Sequence, residues 1–399
     1  MKIEEYAALL RQSKASPGLQ SPSAPFHLHF KRHLQEAVDV VESHPAVDES
    51  LSKSSNNYLG VHILNTGFGS YRPRETVERL IQGTVRRMLA SDAMTAARDL
   101  DRVLVLGQKG KLPGYEITLV RGLKLSGRMD IEEGLFVIPC TGSKGEWFAG
   151  MPYPSGAFDP EGTGALVREF EWGSFLQSDP SASPYTPIFR CDVDPTRLCE
   201  LLSVAIGKPL DTLYEYQRVP QWMQDFGYAG AGAYAVYDFP TLPRVMDEVV
   251  SREHLDNFRS LWLCYKAYEG DRSSIERAVE HLSRALARRG RLAIQDGILD
   301  TAIALETVYT AEIHTEIAHR LSSRAASFLS IDADEHTAIY GRVKRFYDVR
   351  SRLAHGSVPD REKLIAAYSD GFDIAHRTVT KILCVGTAPD WDRLVMSKL

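Results

Sequence analysis

Residues 341–356 read Gly-Arg-Val-Lys-Arg-Phe-Tyr-Asp-Val-Arg-Ser-Arg-Leu-Ala-His-Gly. Val343, Phe346, Tyr347, Arg350 and Ala354 fall at three- and four-residue spacings, which predicts one helix. Five cations (Arg342, Lys344, Arg345, Arg350 and Arg352) stand against one anion, Asp348. The run reaches a histidine at 355, the side-chain type whose unperturbed pKa lies nearest neutral pH, and stops on Gly356, a residue suited to the left-handed turn after a helix. The last turn of a helix carries partial negative charge and favours a protonated imidazole. A histidine beside arginines that neutralise phosphate is a set suited to cleaving RNA. Arg followed five residues later by His also arises by chance roughly once in a chain of this length, so the pair takes its meaning from its surroundings.

Those surroundings are helical. From residue 246 onward the patterning predicts helices near 252–268, 271–289, 292–325, 334–355, 360–384 and 389–397. The segment 292–325 is strongly apolar (Ile294, Ile298, Leu299, Ala302, Ile303, Leu305, Val308, Ile313, Ile317, Leu321), with Thr310 marking where it would break. Its acids Asp296, Asp300 and Glu306 need partners if buried, and Arg320, Arg324 and Arg350 are the expected ones. Such pairs are as compatible with structural ion pairing as with catalysis.

Three blocks carry a resemblance: Ile-Leu-Asp-Thr-Ala-Ile-Ala-Leu-Glu (298–306), Ile-Ala-His-Arg-Leu-Ser-Ser-Arg-Ala-Ala (317–326) and Phe-Tyr-Asp-Val-Arg-Ser-Arg-Leu-Ala-His-Gly (346–356). Their order and separation resemble the HEPN domains of the ApeA-like group, over roughly 270–385. The resemblance implies an all-α bundle that dimerises, bringing two Arg-x-x-x-x-His helices together in a cleft. Active members are metal-independent ribonucleases, often in phage defence or toxin systems. The implied catalytic pair is Arg350 and His355. Tyr347, Ser351, Arg352, Arg345, Glu306 and Arg324 are the expected RNA-binding or supporting residues. Ser351 stands where active members often carry Asn, Asp or His. No cofactor and no metal is expected. His314 and His319, with Glu316 between them, do not form the His-Glu-x-x-His pattern.

The N-terminal part has a different texture. Residues 13–25 are rich in Ser, Pro and Gly and read as a loose arm, followed by a short helix pattern over 28–44. Residues 57–71 predict a strand and a glycine turn, and 75–90 a helix. Val103–Leu106, Tyr115–Leu125, Gly134–Ile138 and Pro187–Cys191 read as strands. Lys109, Lys111, Arg121, Lys124 and Arg128 describe a basic sheet face or an ordinary solvated hairpin. Trp147, Phe148, Tyr153 and Phe158 crowd a loop and would close it onto the core or stack on bases. Asp194-Pro195 opens a helix to about 206, and the Gly-, Pro- and Tyr-rich stretch 207–245 reads as the inter-domain segment. The expected fold class is α+β: a β-rich N-terminal domain (1–245), with a sensor or specificity role for a trigger ligand or protein, followed by an all-α HEPN helical bundle (246–399).

Composition bounds the rest. The 399 residues carry a net charge of −5, so the whole molecule is no electrostatic magnet for nucleic acid, and RNA contact must use local patches. From Asp271 onward 19 Lys and Arg meet 18 Asp and Glu, so the acidic excess belongs to the N-terminal part. The five cysteines (Cys140, Cys191, Cys199, Cys264, Cys384) include no Cys-x-x-Cys, which predicts free, mostly buried thiols in a reducing cytoplasm. No apolar signal core opens the chain and no stretch is predicted to cross a membrane. The expected activity is RNA cleavage by a homodimer. The alternatives are a non-catalytic HEPN module binding RNA, a nucleotide or a protein partner, and a plain interaction protein in which Arg350 pairs with Glu306 or Asp300.

Overall fold

The computed structural model describes residues 73–109, 112–140, 162–172, 194–218, 249–288, 293–310 and 316–398, with strand pieces at 59–61, 69–71 and 234–235 and a few single residues. The loop at 145–158, the arm at 13–25 and the run Pro187–Cys191 lie outside the described residues, as does nearly all of 28–44.

The fold is mixed α and β. A short antiparallel pair, β1 (Leu59–Val61) and β2 (Gly69–Tyr71), precedes α1 (Pro73–Ala90) and α2 (Ala93–Lys109). Then come β3 (Leu112–Arg121), β4 (Met129–Glu132), β5 (Leu135–Pro139), β6 (Thr163–Trp172), α3 (Pro195–Ile206), β7 (Asp211–Arg218) and β8 (Tyr234–Ala235). β3–β8 form one antiparallel sheet in the order β4-β5-β6-β3-β7-β8. Two expectations fail here. Val103–Leu106 belongs to α2, because this short apolar Val-Leu-Val-Leu run sits inside a longer 3.6-residue stripe (Ala96, Ala97, Leu100, Val103, Leu104) that buries one helical face. Residues 211–218, assigned to a linker, are a strand lying next to β3 in the middle of the sheet. Alternating side chains sort to opposite faces, as the two-residue period of a strand requires. Leu135 and Val137 join one core cluster, and Phe136 and Ile138 the other.

The C-terminal helices are α4 (Arg252–Ala267), α5 (Arg272–Ala287), α6 (Ile294–Tyr309), α7 (Ile317–Leu329), α8 (Ala333–Ala354), α9 (Arg361–Val385) and α10 (Trp391–Lys398). Their starts follow local chemistry. The side chains of Ser251, Asp271, Asp332 and Asp360 each accept a backbone N–H of the first turn. The predicted helix over 292–325 is two helices, with α6 ending at Tyr309 and Thr310 as its cap. Gly371 lets α9 approach α8: a Cβ there would collide with the buried Phe346 ring.

The expected boundary at residue 245 does not divide the core. One apolar cluster runs from Val120, Leu135 and Leu166 of the sheet region, through Leu198 and Leu202 of α3, to Phe258, Leu282 and Ile382 of the helices. Polar ties cross the same junction. Arg259 Nε donates to the Ile131 carbonyl (2.8 Å), Arg197 Nη1 to the Glu276 carbonyl (2.7 Å), and the Val250 N–H to the Lys124 carbonyl (2.8 Å). Among the described residues no helix is long and apolar enough to cross a membrane.

Candidate functional site

α8 carries the quoted stretch, and its end is built as the sequence predicts. His355 is the C-cap, with its backbone N–H directed at the carbonyls of Ser351 and Arg352. Gly356 takes φ +79°, and the Ser357 N–H closes back onto the Arg352 carbonyl at 2.9 Å. The helix therefore stays wound to Ala354. Residues five apart then lie about 140° apart around the axis, so Arg350 and His355 leave α8 in different directions.

Arg350 turns inward. One of its terminal nitrogens, Nη2, lies 3.0 Å from Glu306 Oε1 on α6, and the guanidinium carbon sits 5.2 Å from the centre of the Tyr347 ring. The Tyr347 hydroxyl donates to the same Oε1 at 2.7 Å. Burial, with the adjacent Glu306 carboxylate, raises the Tyr347 phenol above its ordinary range and keeps it a donor. Arg350 Nε is buried without a hydrogen-bond partner, so the guanidinium is anchored at one end and unsatisfied at the other. This is the Glu306 pairing that the sequence admitted as a structural alternative.

His355 turns outward. It is exposed, and among the described residues its imidazole makes no hydrogen bond or ion pair. Lys344, Arg345, Asp348 and Arg352 are exposed on α8 as well. The local cation excess is smaller than the sequence alone implies, because α9 supplies acids. Arg342 pairs with Asp370 (2.7 Å) and Asp373 (2.9 Å), and Arg345 reaches Asp370 at 3.7 Å. Lys344 and Arg352 have no anionic partner among the described residues. Ser351 is half-buried beside Arg350.

Two expected partnerships are redrawn. Arg324 stands apart from the Glu306–Arg350 pair. Only 7 % exposed, it donates to the Tyr309 carbonyl at the end of α6 and to Asp392 of α10 (2.7 Å). A buried guanidinium needs acceptors, and these two hold it as a tie between helices. Asp300 is met by His281 (3.0 Å) and Arg288 (2.9 Å), and not by Arg320, Arg324 or Arg350. Both true partners come from α5 and its cap, which spacing along α6 and α8 could not reveal. Asp296 is exposed and needs no partner.

The other candidates have local uses. Arg121 pairs with Asp211 at 2.5 Å, and Arg128 pairs with Asp130 at 2.8 Å while lying 3.7 Å over the Phe136 ring. That accounts for two cations of the expected basic sheet face. His319 shares a hydrogen bond with the Tyr340 hydroxyl at 3.0 Å, and His314 lies outside the described residues.

Comparison with family models, with curated proteins and with solved structures finds no match to this chain.

Proposed function

We propose that the chain is a HEPN-type endoribonuclease that cleaves RNA without a metal ion, with Arg350 and His355 as the catalytic pair. The observation that carries the reading is the state of His355. It is an exposed, unpaired imidazole at the end of a basic helix, five residues after an arginine already fixed in place. Its exposure leaves the imidazole open to a substrate. As general base it would take the proton of a ribose 2′-OH as that oxygen attacks the adjacent phosphorus. As general acid it would protonate the leaving 5′-oxygen. The Arg350 guanidinium would stabilise the charge on the phosphorane, and Lys344 and Arg352 would hold the RNA backbone. DNA lacks the 2′-OH and is not a substrate for this route.

The divergence of Arg350 and His355 on one helix accords with a site shared by two chains. A two-fold pairing of α8 helices places two copies of each residue along one seam. The proposed assembly is a homodimer acting in the cytoplasm, in phage defence or a toxin-like role, with the sheet domain receiving the trigger.

A second reading is favoured by the Arg350–Glu306 contact itself. An arginine held by a carboxylate and a tyrosine ring is a structural tie, and the module would then bind RNA, a nucleotide or a protein without cutting. Incubation of the full chain and of His355→Ala with total RNA in EDTA separates the two. Cuts made by the unsubstituted chain alone, leaving 2′,3′-cyclic phosphate ends, support the nuclease. Absence of cutting by the full chain, shown to be folded and dimeric, favours the binding module.

A further inference from the structure

Of the four described cysteines, two face each other. Cys264 near the end of α4 and Cys384 near the end of α9 lie 120 positions apart in sequence, yet their sulfurs are 2.8 Å apart. The two helix ends are also joined through the backbone, the Glu269 N–H donating to the Gly386 carbonyl at 3.0 Å. Gly386 ends α9 with φ +88°. The sulfurs thus meet where the chain is already fixed on both sides. Cys384 is exposed and Cys264 half-buried, so a small oxidant reaches the pair. Cys199 is buried and Cys140 half-buried, and burial pushes both thiols up to about 12. Neither has a second sulfur beside it among the described residues.

We infer that Cys264 and Cys384 are a modification site: a dithiol that a peroxide oxidises to an intramolecular disulfide, stapling the end of α4 to the end of α9. The chemistry balances with the peroxide as oxidant. The Cys384 thiolate attacks one peroxide oxygen, the O–O bond breaks, and a sulfenic acid and one water result. The Cys264 sulfur then displaces the sulfenic oxygen as a second water, so two thiols and one hydrogen peroxide give one disulfide and two waters. Burial and the neighbouring sulfur push the Cys384 thiol up to about 11. The pair is therefore slow to oxidise at neutral pH, and its rate rises about tenfold per pH unit as thiolate forms. This sets it apart from fast peroxide sensors and makes it a response to sustained oxidation.

The staple closes a long loop, which restricts the unfolded chain most. The test treats the full chain with hydrogen peroxide at pH 7 and pH 9, alkylates the remaining thiols and maps tryptic peptides. The expected product joins residues 260–266 to residues 382–393 and forms faster at pH 9. Tm rises on the order of 5 °C, a shift that dithiothreitol reverses and that Cys384→Ser and Cys264→Ser both lack. Three results would overturn the inference: Cys384 carried to sulfinic acid while Cys264 stays alkylatable, cross-links between chains in place of the internal one, or no cross-link at pH 9.

Discussion

Glu306 holds Arg350 through the same carboxylate oxygen that accepts the Tyr347 hydroxyl. One atom of α6 therefore fixes two side chains a turn apart on α8, while His355 at the end of that helix is left exposed. The anchored and the exposed side chains are separated along a single helix, and the two ends are expected to respond differently to substitution.

His355→Ala is expected to leave Tm within about 1 °C of the unsubstituted chain, since exposed side chains without contacts contribute little to stability. RNA cleavage should be lost. Arg350→Ala is expected to cost about 1–2 kcal/mol, because it leaves the Glu306 carboxylate and the Tyr347 ring without their shared partner. Thermal melts beside RNA digests check both. A large loss of fold with Arg350→Ala and unchanged cleavage with His355→Ala would favour the structural reading.

Tyr347→Phe and Glu306→Ala should differ. The first removes one hydrogen bond and keeps the ring under the guanidinium, costing about 1 kcal/mol. The second orphans both Tyr347 and Arg350 and should cost about 2–3 kcal/mol. Combining Tyr347→Phe with Arg350→Ala should cost less than their sum, because both act through Glu306. Urea denaturation of the four chains measures the coupling.

Gly371→Ala is expected to be among the more damaging single-methyl additions. The new Cβ would collide with the Phe346 ring, and Phe346 is fully buried between α8 and α9. Overpacking of this kind costs about 1–3 kcal/mol. By contrast, Gly207 has open space around the position of a Cβ and pays only for its left-handed backbone, φ +65°. Denaturation midpoints of Gly371→Ala and Gly207→Ala should rank in that order.

Glu200 gives the fold a pH dependence. Burial raises its carboxyl from an ordinary value of 4.5 to about 7, despite Arg197 at 2.5 Å. Between those values the folded chain holds a proton that the unfolded chain has released. Stability is then full below pH 4.5 and falls as pH rises through 7, by roughly 3 kcal/mol at most. Glu200→Gln should match the unsubstituted chain at pH 4.5 and exceed it at pH 8. Urea midpoints at the two values check this, and a variant less stable at pH 8 would contradict it.

Much of the helical half was legible because its signals are local. Gly356 after α8 and the spacing of Val343, Phe346 and Tyr347 act within a few residues. The same holds for Asp194 and Gly207 around α3. The strand reading fails at Val103–Leu106, where two valines in a short apolar run are outweighed by a longer helical stripe. It also missed 211–218, where flanking Gly, Pro and Tyr masked a strand whose place is set by pairing with β3.

By itself the sequence determined that one basic helix would run to His355 and stop at Gly356, because capping, helical spacing and left-handed turns are properties of adjacent residues. Only the tertiary structure decided which charges are spent. Glu306 lies 44 positions before Arg350, Asp370 lies 28 after Arg342, and Arg288 precedes Asp300 across a helix boundary. It also decided that Cys264 meets Cys384, and that the sheet and the helices share one core. Ion pairs, thiol contacts and cores depend on distance in space, and a linear pattern records that distance only where the chain turns back on itself within a few residues.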